Sequence, residues 1–267
     1  MDILTHAISG TAIATCTATF IRNKSLSKVK ILAIGTLGGV WPDIDAISMW
    51  SKFDSTFGKL FDLSLTGRAI YGSKFWYSHH AFFHSLLSSL IFGLIVFLSI
   101  YLVHNITRSK NQKMKFSDFM REYILYPVTF IIAYWAHLVG DLPTPSSVWG
   151  GIAFLWPLDD YFGGYGKIWW WNNYDIFLLI LASIFINLLI PIFIRWKPQI
   201  ITSLMLCITL IFIVIQMNSR EYNYAYSGNT SKYAEMEENS KKEQQRILGE
   251  RFYYYMEWFD KKIPFHF

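Results

Sequence analysis

Charge is scarce in this chain. Asp, Glu, Lys and Arg make up 16% of its 267 residues and apolar types 53%, whereas roughly a quarter of an ordinary soluble protein is charged. A soluble core of this size cannot hide that surplus of Leu, Ile, Phe and Trp, so much of it is expected to face lipid. Cysteine is nearly absent. Cys16 and Cys207 fall in separate apolar segments, which leaves neither a disulfide framework nor a thiolate metal site. No Lys or Arg precedes the first apolar stretch; the basic run Arg22, Lys24, Lys28, Lys30 follows it. That order lacks the n-region of a cleaved signal, so the segment is expected to be retained. The net charge is a modest +5, and its positives cluster beside apolar stretches without aromatic interleaving. Nucleic acid is therefore not an expected partner.

What abounds is apolar runs of membrane length, about 17–25 residues. Phe82 to His104 and Asp175 to Ile194 are the clearest, with Tyr123 to Gly140 and the shorter Ile200 to Met217 beside them. Ala7 to Ile21 and Val29 to Trp41 are rich in Ala, Thr and Gly, which suits helices packed tightly inside a bundle. The expected fold is all-α, a polytopic membrane bundle of about six spans over residues 1–217. Residues 218–267 change character. Asn218 to Thr230 reads as a linker, and Ser231 to Asp260 spaces its apolar residues for one face of an amphipathic helix.

Orientation follows from the basic residues. They crowd the loops after the first, third and fifth spans: Arg22 to Lys30; Arg108, Lys110, Lys113, Lys115 and Arg121; Arg195 and Lys197. Those loops are expected in the cytoplasm of a multi-pass cell-membrane protein. The opposite loops, 41–80 and 141–174, would lie outside. The second holds Lys167 as its lone basic residue and also Trp149, Trp156 and Trp169 to Trp171, which read as an aromatic belt at headgroup level.

Five of the seven histidines concentrate beside carboxylates at span ends. His6 opens the first span, and Trp41-Pro42-Asp43-Ile44-Asp45 closes the second. His79, His80 and His84 open the third, and His137 and Asp141 close the fourth. The loop charges alone place all four ends on the extracytoplasmic face. His137 and Asp141 are i and i+4, hence on one helix face; His80 and His84 share that spacing. Asp43 and Asp45 follow Pro42, where an extended stretch would point both carboxylates the same way. A single His or Asp at a helix end is commonly a cap or a packing residue, but burial in a membrane demands a partner or a purpose. His6, Asp43, Asp45, His79, His84, His137 and Asp141 are the candidate metal ligands. Imidazoles with carboxylates suit Zn, Mn or Fe rather than Ca or Mg, and their number allows one or two ions. His104 and His266 read as bystanders, and Asp159 with Asp160 as a solvated turn.

At these motifs the chain resembles the YdjM-like family of membrane-bound metal-dependent hydrolases. The resemblance rests on His6; on Trp41-Pro42-Asp43-Ile44-Asp45-Ala46; on His79-His80-Ala81-Phe82-Phe83-His84-Ser85; and on Ala136-His137 through Asp141-Leu142-Pro143-Thr144-Pro145 to Leu155-Trp156-Pro157. It covers residues 1 to about 160. The family's His-x-x-x-Asp pattern is in turn similar to that of the zinc phospholipase C and P1-type nucleases. Three positions depart from the family: Ala46 replaces a His, His80 an Arg and Phe83 a Thr. The resemblance implies metal-dependent hydrolysis of an ester or phosphoester, and the site's position at headgroup level makes membrane lipids the expected partners and a lipid or lipid-linked molecule the expected substrate. In that reading Asp45 accepts the proton and His80 touches substrate. Two rivals keep the ligands without the catalysis: a divalent-metal transporter, and a scaffold whose metal staples its helices.

Overall fold

The computed structural model describes residues 1–21, 25–108 and 114–262. Arg22, Lys24, Lys110, Lys113 and His266 lie outside the described residues. At the centre are three helices: α1 (Ile3–Ala18), α2 (Ser25–Val40) and α6 (Leu125–Asp141). Helix α4 (Leu86–Thr107) flanks α6, while α7 (Tyr174–Phe193) packs on α1 and α8 (Pro198–Asn218) on α7. The short α3 (Gly67–Tyr71) lies between α2 and α4 in the chain, and α5 (Phe116–Tyr123) leads into α6. The last helix, α9, runs Tyr233–Lys262.

Glycine sets the central packing. A Cβ added at Gly10 would fall on the carbonyl oxygen of Gly35, and one at Gly39 on that of His6. Gly38, on another side of α2, faces the Phe130 backbone of α6 in the same way. Helix α2 is thus wedged between two neighbours at backbone contact, the approach that small residues permit in lipid.

Among the described residues three helices are long and apolar enough to cross a membrane: α4, α7 and α8. Counting α5 and α6 as one span bent by 44° gives a fourth. The expected six are therefore not reached. Helices α1 and α2 have 16 residues each, about 24 Å at ~1.5 Å per residue, short of a hydrocarbon core of about 30 Å. Their Ala, Gly and Thr residues serve contact between helices: Ala12, Ala14, Thr15, Cys16 and Ala18 of α1 are all buried.

The aromatic belt also reads differently in three dimensions. Trp169 is fully buried among Tyr224, Tyr226 and Tyr233. Trp149 is buried too, its indole N–H donating to the Tyr71 carbonyl at 2.9 Å. Both rings bury their apolar area in protein, and only the Trp149 indole N–H has an acceptor among the described residues. Helix α9 forms as expected but breaks at Gly249, whose φ is +74°. It lies against the bundle: Ser240, Glu243 and Gln244 are buried, and Gln244 Oε1 accepts from the Asp175 backbone N–H at 3.0 Å.

The glycine contacts predict a selective sensitivity. Gly10→Ala or Gly39→Ala forces apart backbones that have no side chain to yield, so each should destabilise the protein by about 1–3 kcal/mol. Gly72→Ala, where an added Cβ meets nothing closer than 3.8 Å, should stay within about 0.5 kcal/mol. Thermal unfolding in detergent checks the contrast, and equal melting points across the three variants contradict it.

Candidate metal centre

The site is assembled from helix ends. Helix α2 cannot run through Trp41-Pro42, because proline has no N–H to give and its ring clashes with the preceding turn. The chain tightens instead into a 3₁₀ helix over Trp41–Met49. The expected extended stretch is absent, with a chemical consequence. At three residues per turn, Asp43 and Asp45 diverge instead of pointing together, and they reach the two nitrogens of one imidazole. Asp43 Oδ1 lies 3.7 Å from His84 Nε2, and Asp45 Oδ2 lies 3.1 Å from His84 Nδ1.

The histidine cluster likewise forgoes helical spacing. Helix α4 starts only at Leu86, with the Ser85 hydroxyl capping the Ser88 N–H at 3.1 Å. Upstream, His80 has a φ of +65° and only Phe82–His84 make a 3₁₀ turn. That irregular path gathers three rings, with centroids 4.2 Å apart for His79–His80, 4.8 Å for His80–His84 and 4.9 Å for His79–His84. The Tyr134 hydroxyl donates to the Phe83 carbonyl and ties this turn to α6. On the last turn of α6, His137 Nε2 and Asp141 Oδ2 meet at 3.0 Å, as their i, i+4 spacing requires.

Donor atoms of His84, His137 and Asp141 then gather about one point, with Asp43 Oδ1 beside both imidazoles. From His84 Nε2 the distances are 3.3 Å to His137 Nε2, 3.7 Å to Asp43 Oδ1 and 3.6 Å to Asp141 Oδ2. From His137 Nε2 they are 3.6 Å to Asp43 Oδ1 and 3.0 Å to Asp141 Oδ2. Ligands held about 2.0–2.2 Å from a tetrahedral ion stand about 3.3–3.6 Å from one another. The residues present fit a divalent ion, and the buried His/Asp cluster could hold one.

Both imidazoles are pinned for that task. His137 Nδ1–H donates to the Gly39 carbonyl at 2.7 Å, and His84 Nδ1–H to Asp45. Each hydrogen bond turns the opposite nitrogen, Nε2, toward the shared point, which is how metal-binding histidines are oriented. Asp45 stands one step back: its other oxygen accepts from His79 Nδ1–H at 2.7 Å. His79 belongs instead to a second group, His79, His80 and His84, whose ligand atoms lie within 4.8 Å of one another. His80 is held by the Gly151 carbonyl, 3.0 Å from its Nδ1. His6 is wholly buried, stacked on His137 at 3.6 Å, with Nε2 3.0 Å from Asp141 Oδ1 and Nδ1 without a partner among the described residues. The Met1 ammonium also reaches Asp141 Oδ1, at 2.6 Å.

All seven expected ligands thus lie in one contiguous network. His104 sits at the far end of α4 among Phe119 and Tyr123, and Asp159 and Asp160 are exposed. Tyr71, stacked on His79 at 4.5 Å, and Trp149, against His79 and His80, complete the site. Neither carries a sequence signal for it, because an aromatic residue in a loop has no spacing rule to betray its neighbours. Asp43, Tyr71, His79, His80, Trp149 and Asp141 line a cleft of about 890 Å³ that opens from the centre.

Burial alone would raise the carboxyls of Asp43 and Asp45, but the imidazoles around them outweigh it and hold both below the usual range. Burial likewise opposes charge on His84. Asp45 and Asp43 overcome it and push His84 up to about 10. Burial beside His79 and His84 keeps His80 well below its ordinary value, hence neutral. Without an ion His84 is therefore charged at neutral pH, and an ion taking Nε2 must expel that proton. Metal affinity should rise with pH over the range below about 10. Zinc titration calorimetry near neutral pH, in buffers of differing ionisation enthalpy, should give buffer-dependent heats. Heats that ignore the buffer would remove His84 from the ligand set.

Comparison with known proteins places this centre in a family. No curated protein and no solved structure matches the chain. The sequence model of one family, described as YdjM inner membrane protein, matches residues 1–222. That stretch carries all four of the helix ends that build the centre, and the chain belongs to the YdjM inner membrane protein family.

Proposed function

We propose that the chain is a membrane-bound metal-dependent hydrolase acting on an ester or phosphoester of a lipid or lipid-linked substrate. The observation that carries this reading is the convergence of Asp43 and Asp141 oxygens on the Nε2 atoms of His84 and His137 beside an open cleft. Zinc suits two nitrogens and two oxygens in that arrangement, with manganese or iron as the other candidates. A divalent ion held there would lower the pKa of a water and polarise an ester or phosphoryl oxygen.

The chain's own groups do the rest. Asp45 orients His84 and His79 together, and His79, with Nδ1 hydrogen-bonded to Asp45, lines the cleft. The His79–Asp45 pair takes the proton from the attacking water. Neutral His80, also at the wall, contacts the substrate. Structural zinc sites are closed, which disfavours the staple reading for donors that border a cleft of this size. Transport sites usually lie near the bilayer midplane, whereas these donors lie at helix ends. The basic loops support a centre on the extracytoplasmic face.

Purified, metal-loaded protein should hydrolyse a member of a phospholipid panel, lose that activity to a chelator and regain it with metal. His137→Ala and Asp141→Ala should lose metal and activity together. His79→Ala should keep its metal while kcat falls by about 100-fold or more, and His104→Ala should change neither. Metal uptake into vesicles without lipid products would favour the transporter instead.

Topology has its own check. In intact cells an impermeant thiol reagent should modify Trp170→Cys and spare Lys115→Cys. The reverse pattern means that the centre faces the cytoplasm.

A further inference from the structure

The lysines that border the cleft are each paired with an acid in place, and its carboxylates are each hydrogen-bonded. Lys241 lies 3.1 Å from Glu237, and Lys261 lies 3.2 Å from Glu257. Asp260 accepts from the Tyr174 hydroxyl at 2.9 Å, and Asp2 caps α1 by accepting from Thr5. Asp43 and Asp141 belong to the metal centre. One cation lining the cleft has no such neighbour among the described residues: Arg68, exposed and without an acidic partner.

Arg68 is also held in place. It sits in α3, whose start is fixed by Gly67. The Gly67 N–H donates to Asp54 Oδ1 at 2.6 Å, and a Cβ added at Gly67 would fall on the Ser48 carbonyl. Ser48 belongs to the same 3₁₀ helix that carries Asp43 and Asp45. The Thr66 side chain caps α3 by accepting from the Ala69 N–H. Three residues after Arg68 on that helix, Tyr71 stacks on His79. The backbone bearing the guanidinium is therefore tied on one side to the metal-bearing segment and on the other to a histidine of the site.

From this geometry we infer that Arg68 is the anion-recognition residue of the cleft: it takes an oxyanion, a phosphate or carboxylate, carried by the molecule that enters. A guanidinium presents a rigid fork of donors suited to a planar or tetrahedral oxyanion. Left without a protein partner in a lined cleft, it provides charge complementarity that an uncharged ester does not use. The substrate class proposed above then narrows to anionic esters, and this inference rests on that reading for the word substrate. The binding it describes does not depend on turnover.

Binding is therefore the test. The full chain, zinc-loaded in detergent, is titrated by calorimetry with three probes: dihexanoyl phosphatidic acid, glycerol 3-phosphate and uncharged dihexanoylglycerol. Phosphatidic acid should bind and the diacylglycerol should bind at least tenfold more weakly. Glycerol 3-phosphate separates the sources of the anion: binding equal to that of the lipid means a soluble phosphate suffices, and weaker binding means the acyl chains contribute. Arg68→Ala should lose about 10- to 100-fold in affinity for the anionic probe, as expected for a charged hydrogen bond. Arg68→Lys should retain part of it. Zinc content should be unchanged in both variants, which shows that the fold and centre survive. Wild-type affinity in Arg68→Ala, equal binding of the neutral lipid, or no binding of either anionic probe by the wild type overturns the inference. Arg68-dependent binding without hydrolysis would leave it standing and sink the hydrolase reading.

Discussion

The centre depends on helix backbones coming closer than side chains ordinarily allow. Gly10, Gly35 and Gly39 bring α1 against α2, and Gly38 brings α2 against α6. That proximity lets a main-chain carbonyl of α2, at Gly39, serve as the hydrogen-bond acceptor for His137 of α6. It also sets His6 of α1 against the ring of His137. Larger residues along that seam would force these backbones apart, and with them the helix ends that carry the centre.

A second constraint is electrostatic. Three carboxylates, Asp43, Asp45 and Asp141, are held where water is largely excluded, and unpaired buried charges are costly. Each is met by at least two imidazoles. The cluster can exchange a proton on His84 for a divalent ion without leaving those carboxylates uncompensated. The same residues thus serve both the stability of the empty cluster and the geometry of a loaded one.

Much of this was legible in the amino-acid order, and the misses are instructive. His137 and Asp141 meet because they obey helical periodicity, which a sequence displays directly. The four clusters share one end of the bundle because apolar runs and basic loops alternate. The details that failed are those where the backbone leaves regular structure. Pro42 starts a 3₁₀ helix rather than an extended strand, so Asp43 and Asp45 part company around His84. The turn of positive φ at His80 replaces the expected first turn of a helix. Tyr71, Trp149 and the Gly39 and Gly151 carbonyls contribute through tertiary contact alone. The six spans are not confirmed for a related reason: among the described residues α1 and α2 carry small residues that bury against protein, and each is short for a bilayer.

The bond from His137 to the Gly39 carbonyl has one more implication. It makes a single imidazole both a rivet between two helices and a candidate ligand, so occupancy of the centre and cohesion of the bundle are linked quantities. An ion present at 100 times its dissociation constant would stabilise the folded form by about 2.7 kcal/mol. Quality-control proteases sample the loosened state, and a difference of that size changes a protein's abundance several-fold. The cell's metal supply would then govern how long each copy survives, with no dedicated regulator, through a contact built into the seam between α2 and α6.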